Sequence, residues 1–319
     1  MSTLVSRLAN HEAVVEGYCP GGLAEMEQRR PRQPGWPAWC WAPARVAEDV
    51  ALSHYRAGTD DEERQNVAQV MSFVAAWRQG KGIYRTSPEF AAQLHATTMP
   101  DALPGDVLLQ LPEWCVYVPL QPFPGVVGAY MRLDWDPDAE RPLLGLLFDI
   151  APETVPEQSV LVSVDLFLDH PSLSSALAEL LDDQGQPAQA MGGVPELASA
   201  ARPFVDIALY LCSMDADVAT KQAPTAMPRR AARAAPQPRV WDVGYRVAQL
   251  LRRPRAAEPA QGAGEQALPA AHLRRAHWHT YLVGKGSRSD PSLARRELRW
   301  VHPTLVGAGE RLPVVRNVR

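Results

Sequence analysis

The sequence predicts an α+β protein with a helical N-terminal part, a central antiparallel sheet with flanking helices, and a basic, β-rich C-terminal segment. Three observations lead there. Apolar residues recur at helical spacing in the first hundred residues, strand-like runs replace them between about 105 and 170, and the charge changes sign near residue 220. With 319 residues, 46% of them apolar, the chain is long enough to bury a core as one large or two moderate folded units.

Residues 31–43 set Pro31, Pro34, Pro37 and Pro43 among Trp36, Trp39 and Trp41, a spacing that forbids a regular helix and predicts an extended aromatic loop packed on the body. After the acidic start Asp60-Asp61-Glu62-Glu63, the positions Val67, Val70, Met71, Val74 and Trp77 define one helix, which Lys81-Gly82-Ile83 ends. The runs Val107–Val118, Val126–Trp135, Leu143–Ile150 and Val160–Leu168, separated by Pro, Gly and Asp clusters, read as an antiparallel meander. Helices are expected from Ser172 to Leu181 and from about Pro195 to Asp215. Residues 221–239 and 253–271 have linker composition, with too little apolar surface to offset ordering entropy. Between them Val240–Leu251 reads as a short ordered segment, and His272–Val283 and Arg295–Val301 follow as two strands. The expected organisation is a helical region over 1–104, an α+β body over 105–220, a linker over 221–239, and a basic module over 240–319 with a loose insert at 253–271.

The net charge of −4 is the sum of two opposed blocks: 13 Lys and Arg against 30 Asp and Glu in residues 1–220, and 19 against 6 in residues 221–319. Such asymmetry marks a basic surface that meets phosphate, or one that docks on the chain's own acidic half. Cys19, Cys40, Cys115 and Cys212 lie far apart and form no CxxC pair, which points to a reducing compartment. Neither a signal peptide nor a run of roughly 20 apolar residues is visible, so the expectation is a cytoplasmic protein with no membrane partner. Phosphate-loop, dinucleotide, zinc-protease and serine-hydrolase motifs are absent, and no small-molecule cofactor is expected.

The densest chemistry is in residues 272–281, since half of the eight histidines fall between His272 and His302. Strand alternation puts Arg275, His277, His279 and Tyr281 on one face and Arg274, Ala276, Trp278 and Thr280 on the other, with same-face neighbours roughly 6.7 Å apart. Three readings of the polar face stay open. In the first, Arg274, Arg275, Lys285 and Arg299 bind nucleic acid while His279 and Tyr281 stack on or bond to bases. In the second, His277 and His279 act as base and acid in metal-independent RNA cleavage, with Arg275 or Arg299 stabilising the phosphorane and Tyr281 beside them. In the third, the histidines are hydrogen-bonded structural residues. A zinc site is disfavoured, because the last hundred residues supply no Cys to complete a His-x-His pair, and no metal is expected. A second segment, Leu111–Val118, has Trp114, Val116 and Val118 on one face and Glu113, Cys115 and Tyr117 on the other. As an edge strand it would accept an incoming peptide near Trp114 and Tyr117.

On these segments the chain resembles the type V-A anti-CRISPR family whose members lower production of the type V effector nuclease. The resemblance is carried by Leu111–Val118, by Ala76-Trp77-Arg78 with Gly82-Ile83-Tyr84, by Tyr210-Leu211-Cys212, and above all by His272–Tyr281 with Arg299-Trp300, in the family's order from about 70 to 305. The linkers differ, Leu282 stands where relatives usually have a second Trp, and residues 1–65 resemble little. The resemblance implies a mobile-element protein that recognises the N-terminal peptide of its target as it leaves the ribosome, the target's messenger then being lost in a translation-dependent way. The implied partners are a nascent polypeptide and messenger or ribosome. The rivals are a true ribonuclease and a stoichiometric inhibitor that sequesters a protein.

Overall fold

The computed structural model describes residues 2–30, 35–55, 60–122, 124–152, 158–182, 196–220, 237–252, 272–283 and 295–306. Four helices come first: α1 (Ser2–Tyr18), α2 (Gly22–Arg29), α3 (Ala44–His54) and α4 (Asp61–Gly80). The local chemistry sets the bounds of α4. Asp60 accepts the Glu63 N–H at 2.7 Å as N-cap, three acids occupy the first turn, and Lys81 closes the helix in the left-handed region at φ 50°. Between α2 and α3 the aromatic loop packs as expected. Trp41 is buried, Trp39 meets Trp135 edge-on, and the buried Asp134 bonds the Ala44 N–H while pairing with Arg132.

The chain continues through β1 (Gly82–Thr86), α5 (Pro88–His95), a 3-10 turn (Gly105–Gln110), β2 (Cys115–Val118), β3 (Val126–Asp136), β4 (Arg141–Ile150), β5 (Val160–Phe167), α6 (Leu173–Asp182), α7 (Glu196–Cys212), β6 (Val218–Thr220), β7 (Arg239–Val243) and α8 (Tyr245–Arg252). Seven strands form one sheet in the order β5-β4-β3-β2-β1-β7-β6. Strands β2 to β5 are the antiparallel meander expected from the sequence. The sheet as a whole is mixed, because β1 runs parallel to both β2 and β7. The crossover from β1 through α5 and the 3-10 turn returns the chain in the same direction, as a parallel neighbour requires. The run expected as a strand from Val107 starts instead as the 3-10 turn, since a short buried apolar run carries no periodicity to separate the two. At the turn between β3 and β4, Asp136 accepts the N–H groups of Asp138 and Ala139.

Helices cover both faces, so β2, β3 and β4 are buried almost throughout. The period of two sorts their side chains cleanly. Cys115, Tyr117, Tyr130 and Leu147 join the cluster under α1 to α4, while Val116, Val118, Met131, Leu146 and Phe148 join the larger one under α5 to α8. The last third contributes to this body directly, because β7 lies inside the sheet and α8 packs Val247 and Ala248 into the larger cluster.

The run expected as a single strand from His272 is broken at Arg275-Ala276. Its first part, β8 (His272–Arg274), pairs with β11 (Thr304–Val306), and its second, β9 (His277–Val283), pairs with β10 (Arg295–Val301), both antiparallel. Trp278, Leu298 and Trp300 bury the inner face of β9 and β10 in the larger cluster, and the Trp300 Nε1–H donates to Thr97 Oγ1 at 3.2 Å.

Candidate nucleic-acid interface

Cross-strand register builds the candidate site. Val301 faces His277, Arg299 faces His279 and Glu297 faces Tyr281, while Trp300 faces Trp278 on the inner side. The tryptophans take the core, so alternation turns the imidazoles and the phenol outward: His277 is half-buried, His279 is exposed and Tyr281 is 38% exposed. His279 and Tyr281 meet edge to face with centroids 4.2 Å apart, and the Arg299 guanidinium lies 4.8 Å from the Tyr281 ring.

Arg299 is not a free cation. Its Nε lies 3.5 Å from Asp215 Oδ2 and its Nη2 lies 3.9 Å from Met214 Sδ, both on the turn after α7, and Leu298 O accepts the Met214 N–H at 3.0 Å. The guanidinium thus lies between Asp215 and the Tyr281 ring, which stays partly exposed. Asp215 and Met214 are part of this surface and escaped the sequence reading. They lie far from Arg299 in the chain, and no local pattern marks a turn that a distant hairpin will reach.

Arg275 is exposed beside this face, at the break between β8 and β9, where its carbonyl lies 3.4 Å from His277 Nδ1. Arg274 pairs with Thr304 through the backbone of β8. Lys285 lies outside the described residues. Among those residues no group of three or more His, Cys, Asp or Glu is placed to hold a metal ion, and no helix is long and apolar enough to cross a membrane.

The structure overturns the second expected site. Trp114 is buried, with Arg30 over its ring at 4.7 Å and its Nε1–H donating to Ala38 O at 3.3 Å. Tyr117 is fully buried and donates to Asp149 Oδ2 at 3.0 Å. Strand β2 lies between β1 and β3, so both of its edges are taken and no peptide can be added there. Tyr117 belongs instead to a closed polar network. Asp149 takes a bidentate pair from Arg7, and His11 bonds Tyr130 at 2.9 Å and Ser159 at 2.9 Å, fastening α1 to the sheet. Burial holds the His11 pKa below its usual value. All four cysteines are free and buried, and burial pushes the Cys115 thiol up, as expected of inert packing.

A groove of about 830 Å³ lies elsewhere on the body, lined by Leu4, Ala91, Ala92, His95, Leu120 and Pro203 among others. The His95 Nδ1 lies 3.3 Å from Asp206, which also takes Arg202 at 2.9 Å.

Comparison with known proteins places this geometry. No curated protein matches the chain. Among solved structures it is similar to the one described as the crystal structure of AcrVA2, with 18% identity, a TM-score of 0.67, and coverage of 96% of this chain and 99% of that one; at this identity the likeness is one of fold. The model of the AcrVA2-like family, described as the anti-CRISPR type V subtype A2 family, matches residues 84–308, which run from within β1 to just past β11 and take in the outward face of β9 and β10. With well over half of its length matched in this way, the chain belongs to the AcrVA2-like anti-CRISPR family.

Proposed function

We propose that this anti-CRISPR-family protein works in the cytoplasm on translating ribosomes, recognising the nascent N-terminal peptide of its target and bringing the outer face of β9 and β10 onto the translated messenger. The observation that carries the RNA half is the exposed His279–Tyr281 pair steadied by Arg299. Single-stranded RNA is held by bases stacking on aromatic rings beside a cationic track, and base stacking does not demand a given sequence. With Arg299 engaged by Asp215, stacking on Tyr281 and His279 is the main contribution of this face, and the exposed Arg275 beside it can meet phosphate. The peptide half is supported by the acidic balance of residues 1–220, which suits a basic nascent chain.

One observation favours the ribonuclease reading: His277 and His279 open on the same face. Neighbours on one strand face lie roughly 6.7 Å apart, close enough to flank a single phosphate.

A reconstituted translation reaction programmed with messenger for the type V effector nuclease tests both. The proposal expects messenger loss only while ribosomes translate, survival of the effect when the first codons are recoded synonymously, and weakening in Tyr281→Ala. Cleavage of ribosome-free messenger that disappears in His277→Ala and His279→Ala would instead establish the ribonuclease. A fall in nuclease activity at constant messenger would overturn both in favour of sequestration.

A further inference from the structure

The central sheet ends on one side in an edge strand with little protection. Strand β5 is outermost, pairs with β4 in unbroken register from Val160↔Ile150 to Leu143↔Phe167, and has no strand beyond it among the described residues. Edges are normally blunted by shortness, proline, lysine or a bulge. The opposite edge, β6, is only three residues long. Strand β5 runs for eight, Val-Leu-Val-Ser-Val-Asp-Leu-Phe, with Asp165 as its single charge and no proline, lysine or bulge. Its apolar residues are incompletely covered: Val160 is 47% exposed and Leu161, Val162 and Val164 are half-buried.

We propose that the outer edge of β5 takes up an extended, basic stretch of a partner polypeptide as an eighth strand of the sheet. This rests on the reading that a nascent peptide is recognised, and says where and how. Main-chain pairing supplies affinity and the two faces of β5 supply selectivity. Val162 and Val164 pack against the cluster under α5 to α8, and Leu161 against the one under α1 to α4. Asp165 shares the alternation of Leu161 and Ser163; the residue is exposed at the edge, but its carboxyl lies over Gly145 near Arg132, and burial of that group raises its pKa to about 6. Residues directly opposite on a neighbouring strand share a face, so the incoming strand places apolar side chains beside Val162 and Val164 and Lys or Arg beside Asp165.

The surroundings decide the occupant's charge. At the Phe167 end of β5, Arg141 is held by Asp169 at 2.7 Å and lies within the electrostatic reach of Glu179 and Asp136 as well. Asp138 and Glu140, on the β3–β4 turn, are exposed close to Arg141, and Asp136 is half-buried there. A second copy of this chain offering the same edge would meet these acids with its own, and like charges across a pair are destabilising. A basic, alternating segment meets complementary charge instead.

The test uses the full-length protein and a labelled synthetic peptide copying the N-terminus of the type V effector nuclease, read by fluorescence anisotropy. N-methylation of one alternate set of peptide residues should leave binding near its unmodified value, while methylation of the other set should weaken it about tenfold or more, because an added strand turns only one set of N–H groups toward its neighbour. Asp165→Lys should weaken binding about fivefold or more and Asp165→Asn less, with thermal melts confirming both folds. A photo-crosslinker at Val160 should capture the peptide. Equal loss from both methylated sets, or capture from Leu120 in the groove in place of Val160, overturns the β5 assignment and leaves nascent-peptide recognition standing. No binding by the unaltered protein overturns both.

Discussion

The Glu113 carboxyl sits where the end of α4 meets β1, bonded to Tyr84 Oη at 2.9 Å, with Oε2 buried and no hydrogen-bond partner among the described residues. A Cβ added at Gly80 or Gly82 would fall inside contact distance of this carboxyl, so both glycines are required by its close approach. Burial raises its pKa to about 7, against the opposing pull of Tyr84 and Arg239. A raised carboxylate pKa means the folded state binds the proton more tightly. The stability this gives is complete below the unfolded value of about 4.5 and is lost as pH rises through about 7. Glu113→Gln keeps the neutral form at every pH. Urea midpoints should therefore agree for the two proteins near pH 4 and favour the variant by on the order of 3 kcal/mol near pH 8; equal midpoints at both would mean Glu113 stays charged when folded. Little of this is legible in the sequence. Alternation put Glu113 on one face with Cys115 and Tyr117, but the glycine floor and Arg239 come from residues distant in the chain.

At the scale of elements, the β9–β10 hairpin owes its position to Trp300. The indole packs edge-on against Phe90 of α5 and Tyr210 of α7 and donates to Thr97, so one side chain docks the hairpin on both helices. Trp300→Ala removes that anchor, and truncation of a buried Trp typically costs about 3–5 kcal/mol. Hydrogen exchange should show the β9 and β10 amides losing protection before those of β3 and β4, with RNA binding weakened although no outward residue has changed. Uniform loss across the sheet would make Trp300 a general core residue. Here the sequence was informative, since alternation alone gave the outward face of His277, His279 and Tyr281 and the inward face of Trp278. It missed the break at Arg275-Ala276 and the short β11, because a three-residue strand is made by its partner more than by its own propensity.

For the whole molecule, part of the charge asymmetry is used inside the fold. Some cations of the last third are spent on the body: Arg246 pairs with Asp217 at 2.8 Å, Arg239 bonds Gly80 O, and Arg299 lies against Asp215. Of the 19 Lys and Arg beyond residue 220, 8 lie among the described residues, and of these Arg275 is exposed beside the outer face of β9. Binding to a single-stranded RNA oligonucleotide should therefore weaken with salt, each neutralised phosphate adding about 0.7 to the slope of log K against log salt. Arg275→Ala should lower that slope by about 0.7, whereas Tyr281→Ala should keep the slope and lose about 1–3 kcal/mol of affinity. Titrations across a salt series separate the two; an unchanged slope in Arg275→Ala removes Arg275 from the phosphate track.

What the sequence determined by itself were quantities of short range: the caps of α4, the strand period from β3 to β5, the two faces of β9, and the acidic and basic blocks. Each depends on residues within a few positions of one another, or on simple counts. Only the tertiary structure decided that β1 and β7 run parallel inside the sheet, that β2 is an inner strand with Trp114 and Tyr117 sealed, and that β5 is left at the edge. Strand order is set by which long loops close and which apolar faces find one another. That free energy is shared among residues a hundred positions apart, and no local pattern records it.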